Sequence, residues 1–255
     1  MSELSLSKQP SHQHPEHHRV HSHSLPLSVR NPAGRRAAFA IACFAWLTTL
    51  VQTFMTVNRE VSSGMSILEG FDVVSSYLTN LTVLLTAIGF TALALPANSR
   101  AARRWPLGFL RKPPVATAIV VYMAFVGVAY NTLLRHLWMP TGFREVVNES
   151  LHSALPLMTL LYWVVFVPRF HLRLSQFMLW LVYPLGYLWL TLWRGGQTGF
   201  YPYPFIDVAV LGYAHVMRNA VMLLGAFVTL MGLFVAGNYL RKAMPEHAGA
   251  PHGTH

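Results

Sequence analysis

Hydroxyl, imidazole, amide and guanidinium side chains recur at helical spacing inside stretches of this chain that are otherwise apolar. Ser75, Thr79, Thr82 and Thr86 follow one another at steps of four, three and four, which lines four hydroxyls along one stripe of a helix. Thr79 stands seven residues past Asp72, or ~10 Å along the helix at ~1.5 Å per residue. Small hydroxyl residues also let membrane helices pack closely, so the stripe leaves packing and chemistry both open. Asn80 adds an amide on the adjacent face. A later run opens with Asn148, Glu149 and His152 and continues through Pro156. A neutral imidazole is the usual general base near neutral pH, and a hydroxyl is a weak nucleophile that needs one. A histidine near a helix end also suits snorkelling to the interface. His215, Arg218 and Asn219 are spaced i, i+3 and i+4, again one helical face. Arg218 falls roughly ten residues into its run, where a lone guanidinium calls for a carboxylate, a carbonyl or a substrate anion. It is therefore expected to point inward, as an internal brace or as a clamp for an anionic group.

These side chains need a scaffold, and composition defines it. Of 255 residues, 53% are apolar and only 11% charged, which excludes a soluble globular enzyme. Six apolar runs lie near 37–57, 72–95, 115–134, 151–168, 175–193 and 208–240, each long enough to span, given that ~20 residues of helix cross a ~30 Å hydrocarbon core. The spacing predicts an all-α, polytopic six-transmembrane-helix bundle whose backbone polar groups are satisfied within each helix. It would occupy residues 35–243. Residues 1–34, which hold His12, His14, His17, His18, His21 and His23, and residues 244–255 have little to bury and read as disordered cytoplasmic tails. Such tails serve as solvated linkers or as loose collectors of transition metals.

The formal net charge of +10 raises nucleic acid as a partner, but its distribution gives another explanation. Lys8, Arg19, Arg30, Arg35, Arg36, Arg100, Arg103, Arg104, Arg111, Lys112, Arg169, Arg173, Arg241 and Lys242 fall on one side of the predicted spans, and only Arg59, Arg135, Arg144 and Arg194 on the other. The positive-inside rule then places both termini in the cytoplasm of a multi-pass cell-membrane protein, and no nucleic-acid partner is needed. Glu60, Glu69, Asp72, Glu145, Glu149 and Asp207 collect on the outer side, which makes that mouth polar and mildly acidic. The lone cysteine, Cys43, permits no intrachain disulfide and no Cys-based metal cluster. Arg35 and Arg36 ahead of a six-residue apolar stretch are too close to Cys43 for a cleaved signal, so the first span is expected to be retained.

Three segments carry a resemblance. The stretch YPLGYLWLTLWRGGQTGFYPYPFIDV (Tyr183 to Val208), with SYLTNLTVLL and ESLHSALPLMTLLYWVVF, resembles the bacterial Pr-six-Pr membrane proteins. These are similar in turn to the eukaryotic androgen-induced (FAR-17a-like) family. The resemblance spans roughly residues 37–240 and is most specific at W-R-G-x-x-x-G-x-Y-P-Y-P-F-x-D. It implies an intramembrane hydrolase of fatty acid esters of hydroxy fatty acids, working with a threonine and a histidine. The family's threonine, in its aromatic-Leu-Thr context, falls on Thr79, and its histidine, shortly before a proline, on His152. Two departures accompany the match: the histidine-to-proline spacing is one residue shorter than in the eukaryotic proteins, and Tyr162 stands where bacterial relatives often have Asp.

Two function classes follow. In the first, His152 takes the proton of Thr79, whose oxygen attacks a lipid ester. Asn80, Asn131, Arg218 or Asn219 would supply the oxyanion donor, with Glu149 or Asp207 orienting the histidine and no metal or other cofactor needed. In the second, the chain is a non-enzymatic carrier of lipids or small molecules, or, less favoured, a haem-binding bundle with His152 and His215 as axial ligands. The Lys/Arg asymmetry generates the first prediction: a topology reporter fused after Lys242 is active only in its cytoplasmic form. Activity of the periplasmic or external form would overturn the orientation.

Overall fold

The computed structural model of the protein describes residues 31–96 and 98–241. The two tails, with all six histidines of the first and with Lys8, Arg19, Arg30 and Lys242, lie outside the described residues apart from the short stretch 31–34. The first helix, α1 (Pro32–Ser62), begins slightly ahead of the expected boundary at residue 35 because Asn31 caps it and Pro32 occupies its first position. Then follow α2 (Ile67–Ser76), α3 (Leu78–Ala94), and two single-turn helices, α4 (Arg100–Arg103) and α5 (Leu107–Leu110). Helix α6 (Pro113–Ala129) runs on into a π-turn at Tyr130–Leu134. Helix α7 (Phe143–Glu149), a second π-turn at Ser150–Ala154 and α8 (Leu155–Phe166) form one continuous helical run. Helices α9 (Leu174–Thr198) and α10 (Val208–Leu240) complete the fold. Every regular element among the described residues is helical.

Three helical stretches are long and apolar enough to cross a membrane, namely Pro32–Ser62, Pro113–Leu134 and Val208–Leu240. The pair α2 and α3, bent by 85°, makes a fourth if it counts as one broken span. Their outward faces agree with a membrane protein. On α1, Phe39, Leu47, Leu50 and Phe54 are all more than half exposed, and so are Val210, Val221 and Leu233 on α10. Apolar faces of this extent are not left to water.

Inside, α1 lies along α3 on a strip of small residues, Ala38, Ala42 and Ala45, because small side chains let two backbones approach. Aromatic rings fill the core toward the end of the bundle that holds Leu95 and Arg241. Phe90 meets Tyr162 edge-on at 4.9 Å and Trp163 meets Phe234 at 4.8 Å. A second cluster, with Val83, Ala87, Met123, Val126, Leu151 and Leu155 buried, packs around the segment that carries Thr79.

Helix ends near the aromatic core are closed by arginines. Buried Arg111 donates to the carbonyls of Ala92 and, at 3.0 Å, Leu95 at the end of α3. Arg241 donates to the carbonyls of Trp163 and Val167 (2.9 Å) at the end of α8 and lies 3.9 Å over the Trp163 ring. A cation there satisfies orphan carbonyls and complements the negative end of the helix dipole. Arg111→Met keeps the apolar stem and removes the donors. It is expected to cost about 1–3 kcal/mol, the usual cost of buried acceptors left unmade, read as a lower Tm of the detergent-solubilised protein. An unchanged Tm would show that these carbonyls find other partners.

Candidate functional site

The site begins with a break in a helix. Helix α2 starts at a capping box in which Ser66 and Glu69 exchange hydrogen bonds, and it stops at Tyr77, whose backbone is extended. Ser75 and Ser76 turn their hydroxyls back onto the Asp72 carbonyl (3.0 and 2.7 Å), and Asn80 donates to the Val74 carbonyl at 2.9 Å. From α9, Tyr187 donates to the Ser76 carbonyl (2.8 Å). Arg194 reaches the Asp72 carbonyl (3.3 Å) and carboxylate (3.5 Å). The chain thus turns with its polar groups met by side chains, as irregular backbone in a membrane protein requires. Helix α3 restarts at Leu78 without a side-chain cap, and the Tyr203 phenol lies against the backbone of Leu78 and Thr79 and against the Thr79 hydroxyl.

His152 comes from the opposite wall. It lies in the π-turn at Ser150–Ala154, four residues before Pro156, which has no N–H to return to the His152 carbonyl. Asn131 of the other π-turn takes up that carbonyl at 3.2 Å. The helices that carry the two π-turns, α6 and α8, meet closely at Gly127, where a Cβ would stand 2.9 Å from the Pro156 ring. The Thr79 Oγ1 and His152 Nε2 are 3.3 Å apart. On the other side of the ring, Nδ1 lies 3.0 Å from the Asn148 carbonyl. A carbonyl only accepts, so in the neutral imidazole Nδ1 carries the proton and Nε2 turns its lone pair toward the Thr79 hydroxyl. Tyr130 stacks on the imidazole with centroids 3.9 Å apart, and its hydroxyl accepts from the Asn148 amide (2.6 Å) and donates to the Trp138 carbonyl (3.3 Å).

Thr79 and His152 line one cavity of about 350 Å³, together with Tyr130, Tyr203 and two arginines, Arg59 and Arg144. Pro202 and Pro204 contribute to its wall, so the YPYPF segment borders the pair. Asn219 donates to the Phe205 carbonyl at 2.9 Å and holds that segment from α10. Arg59 pairs with Glu60, whereas Arg144 has no hydrogen bond or ion pair among the described residues.

Several expected roles are corrected. Arg218 does not point into the bundle. It is exposed, with no hydrogen bond or ion pair among the described residues. The inward stripe of α10 is Val216, Ala220, Phe227, Met231, Phe234 and Asn238, and a residue two places past Val216 lies about 200° around the helix at about 100° per residue. Gly212 also interrupts the helical backbone. Arg218 is therefore only six residues, ~9 Å, into the straight part, near enough for its guanidinium to snorkel. His215 is likewise exposed and absent from the cavity that holds His152, so the two do not face one haem. Asp207 caps α10 through the Ala209 and Val210 amides (2.9 and 3.2 Å) and does not orient the histidine.

Glu149 accepts from Ser153 (2.6 Å) and Arg135 (2.8 Å). The partner of His152 Nδ1 is instead the Asn148 carbonyl. The Asn131 amide donates to Gly127 (2.8 Å) and His152 carbonyls and accepts from Arg135 at 2.7 Å; it braces the two π-turns. Asn80 lines the cavity with its amide nitrogen committed to Val74. No three His, Cys, Asp or Glu side chains converge on a metal-sized site among the described residues.

Tyr130, Tyr203, Asn148, Arg59 and Arg144 were not picked out as site residues by sequence reasoning. Asn148 had a readable signal, its place four residues before His152, and Tyr203 had one in its place within the Y-P-Y-P-F stretch. Comparison with family models, with curated proteins and with solved structures finds no match to this chain. The Asn148 contact fixes an observable: in long-range nitrogen–proton NMR spectra of protein labelled at histidine, neutral His152 is expected as the Nδ1–H tautomer. A dominant Nε2–H tautomer would leave no base facing Thr79.

Proposed function

We propose that this chain is an intramembrane hydrolase of lipid esters, built as six membrane spans with both termini cytoplasmic. The observation that carries the reading is the 3.3 Å approach of Thr79 Oγ1 to the unprotonated nitrogen of His152 at a cavity wall. That distance is just beyond a working hydrogen bond, as resting catalytic pairs often are. His152 takes the proton as Thr79 Oγ1 attacks the ester carbonyl. The tetrahedral intermediate then collapses, the imidazolium returns the proton to the departing alcohol, and an acyl-threonine is left. Water, deprotonated by the same nitrogen, releases the fatty acid and restores Thr79. The Tyr203 phenol, already against the Thr79 hydroxyl, is the hydrogen-bond donor best placed for the oxyanion.

Arg144, which has no protein partner among the described residues, borders the cavity beside Arg59, which is paired with Glu60, and its free guanidinium suits a carboxylate. This supports the substrate class that the resemblance to the Pr-six-Pr and androgen-induced families implies, fatty acid esters of hydroxy fatty acids, with the free carboxylate on the alcohol half. The six-span arrangement is supported by the helical runs Phe143–Phe166 and Leu174–Thr198 in addition to the helices long and apolar enough to cross. A shared side for the arginine-capped helix ends is what an inner interface would provide.

The test is activity-based labelling of detergent-solubilised protein with a fluorophosphonate probe, alongside hydrolysis of a hydroxy-fatty-acid ester. Wild type is expected to label and to turn over. Thr79→Ala is expected to do neither, and His152→Gln to lose about 10²-fold or more of its rate, the usual contribution of a general base. Undiminished hydrolysis by Thr79→Ala would exclude the mechanism, and an inert wild type would leave a lipid carrier as the better reading.

A further inference from the structure

Beside the cavity that holds His152 and the two arginines lies a second one, of about 100 Å³. The two share Thr79, Tyr130, Leu134 and Tyr203, so Thr79 stands where they meet. Their chemistry differs. The second contains no charged side chain, and its polar lining is confined to Thr79 and tyrosines. The remainder is hydrocarbon and aromatic, with Phe125 from α6, Pro184 and Leu188 from α9, and Ala220, Leu224 and Phe227 from α10. Phe125 and Phe227 meet edge-on at 5.2 Å and make an aromatic wall. Pro184 frees the Trp180 carbonyl four residues earlier, and Tyr122 satisfies it at 3.0 Å. The wall therefore offers no unpaired backbone acceptor there that would draw in water.

We infer that this second cavity is the acyl-chain chamber of the site: it takes the hydrocarbon tail of the ester's fatty-acyl half, while the arginine-bearing cavity takes the anionic alcohol half. The inference rests on the hydrolase reading. An ester carbonyl placed at Thr79 carries one substituent on its carbon and one on its oxygen, and two cavities of opposite character diverge from that residue. A carboxylate-bearing half has a free counter-charge, Arg144, only in the first. A tail ending in a methyl group gains from desolvation only where the walls are apolar, and it finds such walls in the second. Ala220 is the small, buried position on that wall, so its size sets how many methylenes fit. Each methylene that enters is worth about fourfold in affinity.

Two variants test this from opposite directions. Ala220→Phe fills the chamber and Leu224→Ala enlarges it, and both are checked for a monodisperse gel-filtration peak. On p-nitrophenyl esters, the decanoyl-to-butyryl ratio of kcat/KM is expected to fall about tenfold or more in Ala220→Phe, equivalent to excluding about two methylenes. In Leu224→Ala, the palmitoyl-to-decanoyl ratio is expected to rise. Ratios unmoved in both variants would overturn the assignment. A readout without turnover uses the fluorescent polyene fatty acid cis-parinaric acid in a Thr79→Ala background. Adding Ala220→Phe is expected to weaken its binding about tenfold, and equal binding would overturn the chamber. If wild type cleaves no ester while Ala220→Phe still weakens cis-parinaric acid binding, the hydrolase reading falls and the chamber stands as a lipid-chain site.

Discussion

A backbone amide or carbonyl left without a partner in apolar surroundings costs several kcal/mol, and in this protein the candidate site is made from the side chains that meet that cost. The chain breaks its helical ladder at Tyr77 and loses single ladder bonds at Pro156 and Pro184. At each place a polar side chain from elsewhere repairs the loss: Asn80, Tyr187 and Arg194 around Tyr77, Asn131 at the His152 carbonyl, and Tyr122 at the Trp180 carbonyl. The repairs are also the supports of the site. The turn at Tyr77 puts Thr79 in the first turn of α3, and the Asn131 bridge ties the two π-turns that carry Tyr130 and His152.

Guanidinium groups do three different kinds of work here, sorted by what surrounds them. Arg111 and Arg241 lie against helix C-termini and spend their donors on carbonyls. Arg135 and Arg194 join separate segments through Glu149 and Asp72. Arg59 and Arg144 border the cavity, and Arg144, exposed and free of protein partners among the described residues, keeps its donors for whatever enters. A carboxylate presents two oxygens that match the guanidinium fork. In the proposed reading, the anionic half of a lipid ester would find a counter-charge at Arg144, an exposed residue, so that burying it costs least.

The sequence is legible where one helix decides the outcome. Of the step pattern Ser75, Thr79, Thr82, Thr86, the last three form a buried stripe on α3, whereas Ser75 lies across the bend on α2 and is not part of it. His152 ahead of Pro156 announces a freed carbonyl and a local distortion of the helix. The apolar runs locate the helices, but they could not show that the second run is bent by 85°, since nothing within Tyr77-Leu78 forbids a continuous helix. The bend depends on Tyr187 and Arg194, more than a hundred residues later. Arg218 was misplaced because its cost was judged by depth alone. The apolar stripe from Val216 to Asn238 assigns it to the other face, and Gly212 shortens its distance to the interface. Asn131, Glu149 and Asp207 have the chemistry expected of catalytic groups, and each is occupied instead by a bridge or a cap, which only the partner's position reveals. Tyr130 and Tyr203 reach the cavity as a stacked ring and a phenol brought in by tertiary packing. Tyr203 is marked by its place in the Y-P-Y-P-F stretch, whereas Tyr130, an aromatic residue in an apolar run, carries no mark that distinguishes it from core.

The choice of partner for His152 follows from the same constraint. In water-exposed hydrolases a carboxylate commonly orients the histidine and stabilises the imidazolium. Placed behind His152, with the buried Tyr130 on one face of the ring, a carboxylate would have to be desolvated in the resting state, at a cost of several kcal/mol that its interaction with a neutral imidazole does not return. The Asn148 carbonyl fixes the same tautomer without a net charge, and the helix supplies it four residues away at no further conformational cost. The nearby carboxylate, Glu149, is instead turned toward Arg135 and Ser153, where it is half of a partly exposed ion pair. An imidazolium formed in the proposed reaction would have an acidic neighbour in Glu149, whose charge is already compensated by Arg135. A pair of neutral groups oriented by backbone is the arrangement that an apolar environment tolerates at rest, and in the proposed reaction the protonated histidine would depend chiefly on the oxyanion formed beside it.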